Sequence, residues 1–431
     1  MKSVSAILGS NLGNVLEWYD FGLFTVFSAL FSRVFFPTEN PHTALIATFS
    51  IFSIGFLCRP LGALIFGYLG DRIGRAKTLR FSILMMALPT IAIGCLPTYQ
   101  QVGILSPLLL TFIRMWQGVS TGGEYSNNMI YLTESAPVHY RSTITSFGCT
   151  SANLGILLAL VVGFIINTYL NEPLLSIYAF RIPFLLSGIL SLLIYYFRLN
   201  IQESSTFNTL KEDNHLATNP IKVVFTNNMP ALLRTIGSVV MGTTFYFFCF
   251  IYLPTFLTEY AHIPSRTVTL LMLSLISCMI VLVPLAGLLS DYWGRKKVLF
   301  VNAVLITTVT IPGFYFLQSQ HMIIIIVVLF IFTLLSSLEQ GTTPALLVEN
   351  FPLPARCTGV SLGYNIGNGF LGGTVPVISQ WLFTHAYFSL APALYITMCT
   401  IVTMFVILFG YPQEVESINF YKKELAPQQL E

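Results

Sequence analysis

Twelve apolar runs, each long enough to cross the hydrocarbon core of a bilayer at about 20 residues per helix, follow one another with only short polar breaks between them. In lipid every backbone N–H and C=O must be bonded inside the protein, and a run that crosses alone can do this only as a helix. The expected fold is therefore an all-α membrane protein with twelve transmembrane helices. Their expected limits are 7–36, 43–69, 79–97, 103–134, 142–168, 178–198, 224–257, 265–289, 298–318, 321–349, 357–384 and 389–411. Composition agrees, since 55% of residues are apolar and 9% are charged, against about 25% charged in soluble domains. That excludes a soluble enzyme, and a formal charge of +3 spread over the chain leaves no basic groove for nucleic acid.

Lys2 ahead of an apolar stretch looks at first like a secretion signal, but Glu17 and Asp20 interrupt the run and no small-residue cleavage site follows. It reads as a retained first span. An even number of spans puts both ends on one side of the membrane. Of 21 basic residues, 15 fall on that side, among them Arg72, Arg75, Lys77, Arg141, Arg295 and Arg356, so both termini are expected to be cytoplasmic. The seven cysteines have no CxxC spacing, and neither a metal nor any other cofactor is expected. No G-x-x-x-x-G-K-[ST] loop is present to hold a nucleotide.

The longest polar interruption, from Asn200 to about Thr226, separates six spans from six. This gives an amino-terminal half over 1–199, a linker over 200–223, a second half over 224–411 and a short tail over 412–431. The halves repeat each other. Gly67-Tyr-Leu-Gly-Asp71-Arg72-Ile-Gly-Arg75-Ala-Lys77 recurs as Gly287-Leu-Leu-Ser-Asp291-Tyr-Trp-Gly-Arg295-Lys-Lys297, while Glu134 and Arg141 recur as Glu349 and Arg356. Two parallel repeats around a central cavity suit a protein that moves solutes by rocking one half against the other.

The G-x-L-x-D-R-x-G-R-x-K loop resembles the signature of the major facilitator superfamily. Within it, four blocks resemble the metabolite:proton symporters: GNVLEWYDFGLF (Gly13–Phe24), RPLGALIFG (Arg59–Gly67), QGVSTGGEY (Gln117–Tyr125) and YNIGNGFLGGTVP (Tyr364–Pro376). The resemblance implies a bacterial inner-membrane transporter that imports a small polar organic solute, a carboxylate or zwitterion, together with protons. Characterised members carry proline and betaine, citrate, 2-oxoglutarate or shikimate. The expected partners are the solute, protons and the lipid bilayer, and the chain is expected to act as a monomer. A proton-driven exporter of drugs or metabolites shares the fold, and a nutrient sensor would keep it too. The tail shows no sustained heptads of the kind found in family members that respond to osmolality.

Charged residues within spans are costly and are read as functional. Glu17 and Asp20, three apart on one helical face, are candidates for proton or solute coupling, or for a structural pair with Arg59. Arg114, Gln117, Thr121, Glu124 and Asn128 form a stripe at helical period along span 4. Arg114 and Arg59 are candidate contacts for a solute carboxylate, Glu124 is a candidate proton carrier, and a buried Arg–Glu lock between spans is the alternative. Gly122 and Gly123 would let a backbone or a solute approach. In the second half Glu339 departs from the family pattern, as either a second proton site or a partner for Arg234. Asn365 and Asn368 read as cavity hydrogen-bonders or as interhelical glue. Trp18, Tyr19 and Trp116 flank the charged stripes and offer faces on which an ammonium group can stack. Asp71, Arg72, Arg75, Arg141, Asp291, Arg295 and Arg356 are the expected gate.

Overall fold

The computed structural model describes residues 2–36, 41–169, 178–199, 202–213, 216–319, 321–386 and 388–411, and over these it is almost entirely helical. The tail over 412–431 lies outside the described residues. Span 1 is Lys2–Val26, which breaks at Phe27 and continues as Ser28–Phe35. Span 2 runs Pro41–Leu57 and Arg59–Ile73, span 3 Arg75–Cys95, span 4 Leu105–Ser135, span 5 Arg141–Tyr169 and span 6 Arg181–Arg198. After two short helices, Ser205–Glu212 and Pro220–Asn227, span 7 covers Met229–Phe247 and Leu253–Glu259. Spans 8, 9 and 10 are Ser265–Trp293, Arg295–Leu317 and Met322–Glu349. Span 11 is Arg356–Ile366 with Val375–His385, and span 12 is Ala391–Phe405.

Among the described residues nine helices are long and apolar enough to cross a membrane unaided. Spans 1, 4 and 11 fall short of that standard, and their polar residues are covered by protein rather than by lipid. Asn14, Glu17, Asp20, Arg114, Gln117, Glu124, Asn128, Asn365 and Asn368 are all buried. Elsewhere the lipid-facing surface is apolar, with Leu61, Phe112, Ile182, Val281 and Ile323 exposed.

Three departures from regular helical geometry lie at a proline or a glycine run. Span 2 breaks at Cys58 just before Arg59-Pro60, because Pro60 has no N–H to continue the ladder. Span 7 carries a π-helical turn at Phe248–Tyr252 ahead of Pro254, and span 11 carries one at Gly367–Gly372, in the Gly-Asn-Gly run around Asn368. Such turns often mark functional sites. Around the expected boundary at residue 223, Pro220–Asn227 is a separate helix, and span 7 starts at Met229 behind Asn228.

Spans 2 and 4 cross on glycines. A Cβ at Gly122 would meet the Ala63 nitrogen at 2.9 Å, and one at Gly118 would meet the Gly55 Cα at 3.1 Å. Gly118 and Gly122 therefore admit the backbone of span 2, and Gly123 the Phe66 side chain, rather than a solute. The first six spans touch the last six mainly along two seams, span 5 against span 8 and span 2 against span 11.

Candidate functional site

The two repeated loops close one end of the molecule by matching contacts. Asp71, at the end of span 2, accepts from the Cys357 and Thr358 backbone nitrogens at 3.0 and 2.9 Å and from the Thr358 hydroxyl at 2.8 Å. Asp291, at the end of span 8, accepts from the Ser142 and Thr143 nitrogens at 3.0 and 2.9 Å and from the Thr143 hydroxyl at 2.8 Å. Each carboxylate thus caps the first turn of a helix in the other set of six, where the unpaired N–H groups and the helix dipole favour negative charge. Beside each cap sits an arginine–glutamate–arginine trio. Glu134 lies 3.2 Å from Arg75 and 3.4 Å from Arg356, and Glu349 lies 3.1 Å from Arg295 and 3.4 Å from Arg141. Six of the seven expected gate residues therefore meet in this lock.

Arg72 does not. Its exposed guanidinium donates to the Ala217 and Thr218 carbonyls of the linker at 3.4 and 3.3 Å, because it follows Asp71 by one residue and points away from the seam. Glu203, which the sequence reading passed over, caps span 3 by accepting from the Arg75 nitrogen at 2.8 Å and the Ala76 nitrogen at 3.1 Å. The linker is thereby tied to the same end.

Further in, a cavity lies between the two sets of six spans, with room for several water-sized centres, about 60 Å³; one water needs about 10–15 Å³ by the same measure. Trp18, Tyr125 and Asn153 line it from spans 1, 4 and 5, and Tyr246, Glu339, Tyr364 and Asn368 from spans 7, 10 and 11. Contacts cross it. The Asn153 amide donates to the Gln340 side chain at 2.8 Å, the Tyr246 hydroxyl donates to Asn153 at 3.4 Å, and the Tyr125 and Tyr364 rings lie 4.9 Å apart. The two asparagines of span 11 divide. Asn368 lines the cavity, whereas the Asn365 amide donates to the Gly122 carbonyl at 2.8 Å and joins span 11 to span 4.

The charged residues of spans 1 and 4 lie elsewhere, inside the first six spans. Arg59 meets Glu17 at 3.3 Å, both without exposed surface, and its guanidinium rests on Phe56, Phe21 and Trp18 at 4.4, 4.8 and 5.6 Å. Among the described residues Asp20 has no arginine within pairing distance; it accepts from the Thr90 and Ser187 hydroxyls. A line of hydrogen bonds leads to it, with Arg114 donating to Gln117 at 2.7 Å and Gln117 donating to Thr90 at 2.9 Å. Arg114 stacks on Phe24 at 3.9 Å. Neither Arg59 nor Arg114 lines the cavity, so the geometry departs from the expectation that they face a solute there. The reason is the face that span 4 turns toward span 11, which carries Gly122, Tyr125 and Ser126 and leaves the charged stripe pointing inward.

Glu124 is likewise absent from the cavity wall. Arg198, at the last turn of span 6, grips it with both terminal nitrogens, one of them 3.0 Å away, and Ser82 donates to the same carboxylate. Arg198 also donates to the Leu79 and Ser10 carbonyls at 2.6 and 2.8 Å. This is a buried lock between spans, with a partner other than Arg114. In the second half Arg234 donates to the Gly410 carbonyl at 3.2 Å and does not pair with Glu339. Trp18 faces the cavity, while Trp116 packs on Phe112 at 6.4 Å and Tyr19 is buried.

The model of the Major Facilitator Superfamily matches residues 22–376. A putative proline/betaine transporter of Staphylococcus aureus is 32% identical over 95% of this chain and 88% of its own length. The glycine betaine/proline/ectoine/pipecolic acid transporter OusA of Dickeya dadantii is 30% identical over 94% and 82%. The proton:xylose symporter XylE, solved with 6-bromo-6-deoxy-D-glucose, superposes with a TM-score of 0.77 at 16% identity, covering 97% of this chain and 98% of that one. At that identity the likeness speaks for the fold. The twelve helical spans, the repeated aspartate caps and the family match together establish that this chain is a multi-pass membrane protein belonging to the Major Facilitator Superfamily.

Proposed function

We propose that the chain is a secondary transporter that imports a small zwitterionic solute of the proline or betaine kind together with protons, by alternating access of the central cavity. The observation that carries this reading is the pairing of that cavity with the double aspartate lock at one end. A solute site between two repeats, sealed on one side by contacts that cross from one repeat to the other, is what rocking needs. The relatives named for proline and betaine transport match nearly the whole chain. Residues 1–199 and 224–411 are the two moving halves, joined by the linker over 200–223. The locked end is cytoplasmic, as the basic residues there favour, and the protein acts as a monomer in a bacterial inner membrane.

Glu17 and Asp20 are the proton-exchanging carboxylates in this account. Glu17 meets Arg59 through one oxygen and its Oε2 has no partner, while Asp20 is held by hydroxyls alone. A carboxylate held by hydroxyls, as Asp20 is, gains a proton at less cost than one gripped by a two-pronged arginine, because protonation strands no cation; when Glu17 is protonated, Arg59 keeps its stacking on Phe56, Phe21 and Trp18. Glu124 is by the same argument the structural anchor. The test is proton movement. Adding solute outside lightly buffered vesicles that contain the protein should acidify the lumen, and solute entry with no lumenal pH change would refute coupling. An exporter would acidify the lumen only when solute leaves it.

A further inference from the structure

Among the described residues, Glu339 is the one carboxylic acid lining the central cavity, and no Lys, Arg or His lines it. Among the described residues no basic group lies within 4.0 Å of its carboxylate. The side chain is 8% exposed and lies against Gly242 of span 7, where an added Cβ would overlap the carboxylate. A carboxylate taken out of water with no counter-charge is costly, and a glycine opposite it makes room that a packed wall would not.

Its surroundings share one character. Trp18, Tyr125, Tyr246 and Tyr364 line the same cavity, with Trp18 and Tyr125 ring centroids 6.0 Å apart and Tyr125 and Tyr364 4.9 Å apart. Aromatic faces attract ammonium groups, most strongly where water is excluded. Among the neutral polar groups lining it, the Trp18 indole N–H and the Asn368 side-chain oxygen are buried without a partner.

We propose that Glu339 and these four rings form a cation subsite that takes the ammonium end of the solute, while its carboxylate end meets only neutral donors such as the Trp18 N–H. The inference rests on the transport reading above and names the recognition chemistry of the same cavity. The ammonium group is the required feature of the solute and the carboxylate is dispensable. Two of the rings come from each set of six spans, so a bound ammonium ties the halves together around it.

The test is made on the purified wild-type protein in detergent, with no gradient. A hydrophobic carbodiimide is used to label buried carboxylates, and the extent of labelling at Glu339 is read by peptide mass spectrometry. Tetramethylammonium and glycine betaine should each slow labelling of Glu339 by about tenfold or more when saturating, and succinate should leave it unchanged. In parallel, Glu339→Gln should lower tetramethylammonium affinity by at least about tenfold through loss of charge attraction, while Glu339→Asp retains part of it. Because the labelling uses the wild type, a Gln variant that fails to fold leaves the test intact. Labelling that is indifferent to both ammonium ions, or that succinate blocks equally, overturns the subsite. A protein that moves protons with its solute yet shows that indifference keeps the transport reading and loses the subsite. One that protects Glu339 with ammonium ions but moves no protons does the reverse.

Discussion

Arg198 holds the carboxylate of Glu124 with both terminal guanidinium nitrogens, joining the last turn of span 6 to the middle of span 4 inside the first six-span set. Both side chains are buried. In the function proposed above, this relationship makes Glu124 an anchor rather than a proton carrier.

Breaking a buried pair by removing one partner costs roughly 3–5 kcal/mol, because the other charge is left alone. Glu124→Gln and Arg198→Met should each lower the melting temperature of the detergent-solubilised protein markedly, and the double variant should recover part of the loss. The check is thermal unfolding of all three variants. Additive losses in the double variant would show that the two side chains do not act as a pair.

The aspartate lock predicts a change in access. Asp71→Asn keeps the shape but gives up the charge that receives two N–H groups and a hydroxyl, and hydrogen bonds to a charged group contribute about 1.5–3 kcal/mol each. Losing even one of these shifts the closed-to-open ratio about tenfold or more. Cys357, fully buried beside Asp71, should then react faster with a membrane-impermeant maleimide from the cytoplasmic side, and solute uptake should fall while protein level holds. Unchanged Cys357 reactivity together with normal uptake would remove Asp71 from the gate.

Arg114 separates two accounts of the arginines. If it faced the solute, Arg114→Lys would weaken solute binding through loss of a forked contact. Since it stacks on Phe24 and feeds the hydrogen-bond line to Asp20, the Lys variant should bind solute within about threefold of wild type and instead alter the pH dependence of uptake. Equilibrium binding and a pH series of initial rates distinguish the two. A large loss of affinity with an unmoved pH profile would return Arg114 to the solute.

The asparagines of span 11 give a similar contrast. Asn365→Ala removes bonds between spans 11 and 4 and should slow turnover while sparing affinity. Asn368→Ala touches the cavity wall and should raise the solute concentration for half-maximal uptake. Concentration series of uptake for both variants would show the difference, and identical effects would contradict it.

The spans, the repeat and the aspartate lock were legible in the sequence because each rests on local signals: apolar length, and a charge–glycine spacing that occurs twice. What lay beyond reach was the partner across a helix interface. Helical period correctly put Arg114 and Glu124 on one face of span 4, but it carries no information about what that face meets. Arg198, 74 residues further along, looked from the sequence like an ordinary basic flank. Arg72 looked equivalent to Arg75, although one step along a helix turned it out to the linker. Glu339 and Arg234 were opposite charges in one half with no periodic relation between spans to show that they stay apart.

Accumulation is the most direct measure of the central claim. Proteoliposomes containing the protein are diluted into acidic medium with radiolabelled proline or glycine betaine, so that the proton gradient points inward. The account predicts that lumenal solute rises above the outside concentration, and that a protonophore abolishes the rise while leaving exchange of labelled for unlabelled solute intact. Solute that only reaches the outside concentration, or that accumulates solely when the gradient is reversed, would contradict proton-coupled import.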